Sequence, residues 1–132
     1  MTTNKTEEKE LKHIVIVGGG FAGFLLSKRI DHTKYSVTLV DRKNFHGFPP
    51  LFYQIASSGL EPAAICFPFR KELRKLRHVR FHMGEALSVD TQKQELVTNT
   101  GKIHYDYLVL ATGTTNNFFN MPELRERVYT LK

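Results

Sequence analysis

The chain has 132 residues, 41% of them hydrophobic and 24% charged, with 9 glycines and 5 prolines, a composition that fits one globular domain with a buried core. Its single cysteine, Cys66, rules out an internal disulfide and fits a reducing compartment. No apolar run approaches the roughly 20 residues needed to span a bilayer. The net charge of +6 owes much to the stretch from Arg70 to Arg80. Nothing there resembles a nucleic-acid-binding module, so no nucleic-acid partner is expected.

Residues 1–10, "MTTNKTEEKE", carry neither the apolar region nor the small-residue cleavage pattern of a secretory signal, and a disordered tail is expected. Residues 11–132 then form the domain. "LKHIVIVGGG" is a short Ile/Val-rich run halted by glycines, as a fully buried parallel strand is. "FAGFLLSKRIDH" places Phe21, Phe24, Leu25 and Ile30 near helical spacing and predicts a helix of about three turns. "YSVTLVD", Tyr35–Asp41, is the next buried strand, and the three pieces make a βαβ unit.

"NFHGFPPLFYQIASSGLEP", Asn44 to Pro62, puts two adjacent prolines, four aromatics and a histidine where an α/β connection is ordinarily short and polar. "CFPFRKELRKLRH" predicts a helix from Phe67 to Arg77, with Pro68 in its first turn. Phe69, Leu73 and Leu76 fall on one side, and Arg70, Lys71, Arg74, Lys75 and Arg77 on a solvated other side. "VRFHMGEALSVD" predicts a strand running on into a second. "QELVTNTGKIHYDYLVLATG" predicts a hairpin around Asn99 to Gly101, then a buried strand at Tyr107 to Ala111. "MPELRERVYTLK" offers a helical turn and the start of one more strand.

Gly18, Gly20 and Gly23 have the G-x-G-x-x-G spacing between a strand and a helix. The three glycines serve the tight turn, backbone approach to a pyrophosphate, and close packing of helix on strand. The free amides around Phe21 and Ala22 face phosphate at the positive end of the helix dipole. Asp41 ends the next strand, where an acid accepts hydrogen bonds from a ribose hydroxyl. Arg42 and Lys43 follow as charges beside a ribose or phosphate. Without a flavin signal, a non-enzymatic NAD-binding module stays open.

"YDYLVLATGTTNNFF" is similar to the second fingerprint of the two-dinucleotide-binding-domain flavoproteins, and "MGEALSVD" resembles their segment that brackets the adenine. The loop "NFHGFPPLFYQIASSGLEPAAICFPFR" resembles the corresponding segment of the type II, single-subunit NADH:quinone oxidoreductases. Asn44, His46, Phe48, Pro50, Leu51, Tyr53, Gln54, Gly59, Leu60 and Pro62 match that pattern; Gly47 and Pro49 depart from it. The resemblance implies a Rossmann-like FAD-binding domain, α/β with a parallel sheet and an inserted antiparallel meander. The chain would be its N-terminal part, without the NADH domain or C-terminal region.

It further implies FAD as cofactor, NADH and a quinone as substrates of the complete enzyme, and a cytoplasmic protein held peripherally at the inner face of the membrane by the C-terminal region. A homodimer stays open. Pyrophosphate would lie on Gly18, Gly20, Gly23, Phe21 and Ala22, ribose on Asp41 beside Arg42, and adenine near Ala86. Pro50, Leu51, Ala111, Thr112 and Gly113 would line the flavin region. A sulfide:quinone or ferredoxin reductase is the alternative. Cys66, standing alone, excludes the disulfide-reductase subclass and is expected to be a small buried hydrophobe. His46 is expected to hydrogen-bond the backbone or a phosphate rather than shuttle protons. His13, His78, His82 and His104 carry no assigned role, and no catalytic acid, base or metal ligand is expected.

Overall fold

The computed structural model describes residues 11–130; the tail expected over residues 1–10 lies outside the described residues, as do residues 131–132. Four strands form a wholly parallel sheet: β1 (Lys12–Val17), β2 (Tyr35–Asp41), β5 (Val79–Met83) and β9 (Tyr107–Leu110), in the spatial order β5-β2-β1-β9. Helix α1 (Phe21–Arg29) links β1 to β2. Between β2 and β5 lie β3 (Phe45–Gly47), a 3-10 turn at Pro49–Leu51, α2 (Phe52–Ala56), β4 (Cys66–Pro68) and α3 (Phe69–Leu73). Strands β6 (Ala86–Asp90), β7 (Glu95–Thr98) and β8 (Gly101–His104) form the separate antiparallel meander, and α4 (Pro122–Arg127) follows β9.

The central strands β1 and β2 have no polar alternation because both of their faces are covered. Side chains alternate across each strand. Val15, Val17 and Val40 therefore pack with Leu96 and Tyr105 of the meander side. Ile16, Val37 and Leu39 pack with Phe69 and Leu73 on the helix side. Fully burying side chains such as Ile16 and Leu39 contributes about 1.5–3 kcal/mol each.

The meander is also tied on by polar groups. The Asp106 carboxylate accepts the His13 backbone N–H at 2.7 Å and the Lys12 ammonium at 3.1 Å. The His13 ring donates from Nδ1 to the His104 carbonyl at 2.7 Å, while its Nε2 accepts from the Thr38 hydroxyl at 2.8 Å. His13, given no role by sequence, thus clamps the meander to the sheet.

Several expectations are corrected. Helix α1 meets the sheet through Gly23, Phe24, Ser27 and Ile30, whereas Phe21, Leu25 and Leu26 are exposed. Gly23 sets this choice, because a Cβ there would overlap the Gly18 carbonyl oxygen. The helix expected from Phe67 to Arg77 is reduced to the five residues of α3. Extended Pro68 (ψ 124°) and Cys66–Pro68 pair instead with Phe45–Gly47. The basic residues from Arg70 to Arg77 nonetheless face solvent as expected. Cys66 is half-buried, not buried.

Strand β9 is not buried: Tyr107 and Leu110 are 53% and 67% exposed. Among the described residues it pairs with β1 alone, so one edge and part of a face stay open. Residues 128–130 form no strand.

Candidate cofactor-binding site

Register brings the site together. Val17 stands level with Val40 and with Leu110, and Asp41 with Met83. The chain therefore leaves β1, β2, β9 and β5 at one edge of the sheet. There Gly18 N–H donates to the Val40 carbonyl (2.8 Å), Ala111 N–H to Val17 (2.8 Å) and Gly84 N–H to Asp41 (2.9 Å). Four separate segments converge on one crevice.

The three glycines of the motif are distinguished by their surroundings. Gly18 has φ +104°, and a Cβ on it would overlap the Ala111 carbonyl, so it serves the turn and the close passage of β9. Gly23 serves helix packing. A Cβ on Gly20 would meet nothing within 4 Å, and Gly20 forms the N-cap of α1 with no side-chain cap. The helix-start amides are thus left for an anion. Gly113 has φ +70° and likewise open space around it.

Gly19, outside the motif spacing, is gripped from more directions than its neighbours. A Cβ there would run into the ring of Phe69, which is fully buried. Its N–H donates to Asp41 Oδ2 at 2.6 Å. Its carbonyl accepts from His46 Nδ1 at 2.9 Å. The expected backbone role of His46 is therefore met. Asp41 also accepts the Lys43 N–H through Oδ1 at 2.8 Å, so its carboxylate already organises the turn. Each carboxylate oxygen keeps a second lone pair for a ribose hydroxyl.

Two clefts join at this edge. The larger, about 530 Å³, runs from the glycine turn to Ala111, Thr112 and Gly113 and is walled by Phe45, Pro49 and Phe52. The smaller, about 230 Å³, lies over Gly84, Glu85 and Ala86. Both include Gly18, Asp41, Arg42 and Thr112, which makes the groove continuous. Phe21, Ala22 and Gly20 line the larger cleft. Arg42 reaches Glu85 at 3.6 Å, both side chains well exposed.

Every expected site residue lines this groove except Gly23, Pro50 and Leu51. Gly23 lies behind it, between helix and strand. Pro50 and Leu51 sit in the 3-10 turn, and Pro49 and Phe52 on either side of them form the wall instead. A turn rotates successive side chains away from a single face, which a linear pattern does not reveal. Lys43 and Phe45 also line the cleft, with the Lys43 ammonium 5.6 Å from the Phe45 ring centre. Gly20 leaves room for a phosphate, and the two joined clefts leave space beside it, so the residues present fit a dinucleotide. Among the described residues no cluster of three or more His, Cys, Asp or Glu could hold a metal ion.

In chain order the parallel strands run 3-2-1-4 across the sheet, and the glycine turn sits where that order reverses. That architecture defines a Rossmann-like nucleotide-binding fold. The chain belongs to the pyridine nucleotide-disulphide oxidoreductase family, whose model matches residues 12–132.

It is 32% identical over 117 residues to the type II NADH:quinone oxidoreductase Ndh of Mycobacterium tuberculosis, covering 86% of this chain and 25% of that protein. It superposes on the NDH2 structure from Plasmodium falciparum in complex with NADH with a TM-score of 0.75 and 30% identity, covering 84% of this chain and 24% of that one. On the sulfide:quinone oxidoreductase of Aquifex aeolicus the TM-score is 0.74 and the identity 33%, over 81% of this chain and 25% of that one. The chain spans 22% to 25% of the length of the curated relatives it matches.

Proposed function

We propose that the chain is the N-terminal, FAD-binding part of a type II NADH:quinone oxidoreductase. The observation that carries this is the uncapped, open Gly20 position at the start of α1, in a groove that also takes in Gly84–Ala86 and Ala111–Gly113. Gly20, Phe21 and Ala22 would hold the pyrophosphate, Asp41 the adenosine ribose, and Ala86 the adenine. Ala111, Thr112 and Gly113, with Pro49 and Phe52, would flank the ring system and keep water from it. Bound FAD supplies the hydride acceptance and electron transfer, which no side chain in this chain can supply.

The matching of the Asn44–Pro62 segment to the type II pattern favours that class over others. Peripheral attachment to the inner face of the membrane through a region C-terminal to this chain, and self-association, belong to the same proposal. No helix among the described residues is long and apolar enough to cross a membrane.

The likeness to a sulfide:quinone oxidoreductase structure supports a second reading. The whole protein carrying this domain is expected to purify yellow and to reduce a soluble quinone with NADH but not with sulfide. Sulfide-dependent reduction would assign the second reading. Tight NAD binding with no flavin would overturn both.

A further inference from the structure

Gly19 is gripped at its N–H, its carbonyl and its α-carbon by groups from three distant segments. Asp41, at the end of β2, takes its N–H; His46, in β3, donates to its carbonyl; Phe69, at the start of α3, fills the place of a side chain. The His46 imidazole is itself immobilised. It is 7% exposed, stacked on Phe24 at 4.9 Å and met edge-on by Phe21 at 5.3 Å.

A trans peptide is planar, with its C=O and N–H opposed. The Gly19 carbonyl belongs to the same peptide unit as the Gly20 N–H. Holding that carbonyl on His46 therefore points the Gly20 N–H away from the imidazole and fixes it there. Asp41 fixes the preceding peptide unit in the same way through the Gly19 N–H. Without these two grips, a run of three glycines has more freedom at this point than any other tripeptide.

We propose that His46 is a positioning residue for the phosphate-binding turn, orienting the Gly20 amide and coupling the Asn44–Pro62 segment to it. The identity of the anion rests on the proposed function; the orientation of the amide does not. His46 touches no reacting atom in this role. Its hydrogen bond, more than its aromatic ring, is what the turn requires.

Two substitutions separate these contributions. His46→Phe keeps the ring and its stacking but removes the donor; His46→Asn replaces the donor near the Nδ1 position and removes the ring. The probe is inorganic pyrophosphate, titrated into the 132-residue chain and followed through the Gly20 and Phe21 amide resonances. Leu96→Ala, in the opposite core cluster, serves as a control for lost stability alone.

His46→Phe is expected to displace the Gly20 amide resonance without ligand and to weaken pyrophosphate binding by about tenfold, the scale of one lost hydrogen bond to a buried carbonyl. His46→Asn is expected to restore both, and Leu96→Ala to leave both unchanged. Unaltered Gly20 resonance and binding in His46→Phe would overturn the proposal, as would equal loss in Leu96→Ala. If His46→Phe does not fold, failure of His46→Asn to keep the native Gly20 resonance overturns it instead. Absence of pyrophosphate binding in the unsubstituted chain, with the Gly20 displacement intact, would overturn the assignment of the turn to a phosphate and uphold the orienting role of His46.

Discussion

Neighbouring glycines in the turn face opposite constraints, and substitution separates them. Gly19→Ala drives a methyl into the buried Phe69 ring, so overpacking is expected to cost about 1–3 kcal/mol in denaturant unfolding. Gly20→Ala meets open space and a backbone (φ −68°, ψ −166°) that any residue adopts, so stability is expected to hold within about 0.5 kcal/mol. The same methyl would stand where an anion approaches, so Gly20→Ala is expected to abolish pyrophosphate binding in titrations while leaving the melting curve unchanged. Equal effects of the two substitutions on stability would contradict the geometry. The spacing of the glycines was readable because the tight turn, the approach to a phosphate and helix packing fall at fixed offsets along the chain. Gly19 was not distinguishable, because its neighbours come from residues 41, 46 and 69.

Among the elements, the meander depends on attachments that a linear pattern hides. The carboxyl of Asp106, just after the meander, is held below its ordinary value by the His13 backbone N–H and then by Lys12; away from the meander, in the turn before β2, that of Asp31 is lowered to about 2 by the Thr33 hydroxyl and backbone N–H and by Lys34. Both groups bind their proton more weakly folded than unfolded, so the unfolded chain takes up more protons as pH falls. The stabilisation from Asp31 is present above an unfolded value near 3.8 and is lost as pH drops toward 2; that from Asp106 is likewise present above 3.8 and is lost as pH falls through its lowered value. The thermal midpoint of the chain is expected to fall across that window, and that of Asp106→Asn to fall less steeply. Identical slopes would remove Asp106 from the account. Strands β1 and β2 were legible from apolar runs ending in glycine and in an acid. Helix α3 was overextended, because its amphipathic spacing continues past residues that strand pairing with β3 and a helix end at Leu73 remove from it.

For the molecule as a whole, exposed Leu110 next to Ala111 and Phe21 in the lining leave apolar surface beside the groove uncovered, and Tyr107, Leu25 and Leu26 are exposed elsewhere on β9 and α1. A flavin held by one wall loses much of the water exclusion its site requires. The 132-residue chain by itself is therefore expected to bind FAD weakly or not at all and to show no NADH-dependent quinone reduction. Spectrophotometric assay with NADH and a soluble quinone checks this, and turnover would refute it. The βαβ order, the glycine turn, the acid after β2 and the family resemblance of the Asn44–Pro62 loop were all written in the chain itself, because strand period, glycine conformation and motif spacing are properties of short segments. Three features emerged only on folding: the loop reaches back through His46 to hold the glycine turn, Pro49 and Phe52 rather than Pro50 and Leu51 face the groove, and β9 lies open. Each of these depends on which distant segments meet at the end of the sheet, and no local pattern encodes such a meeting.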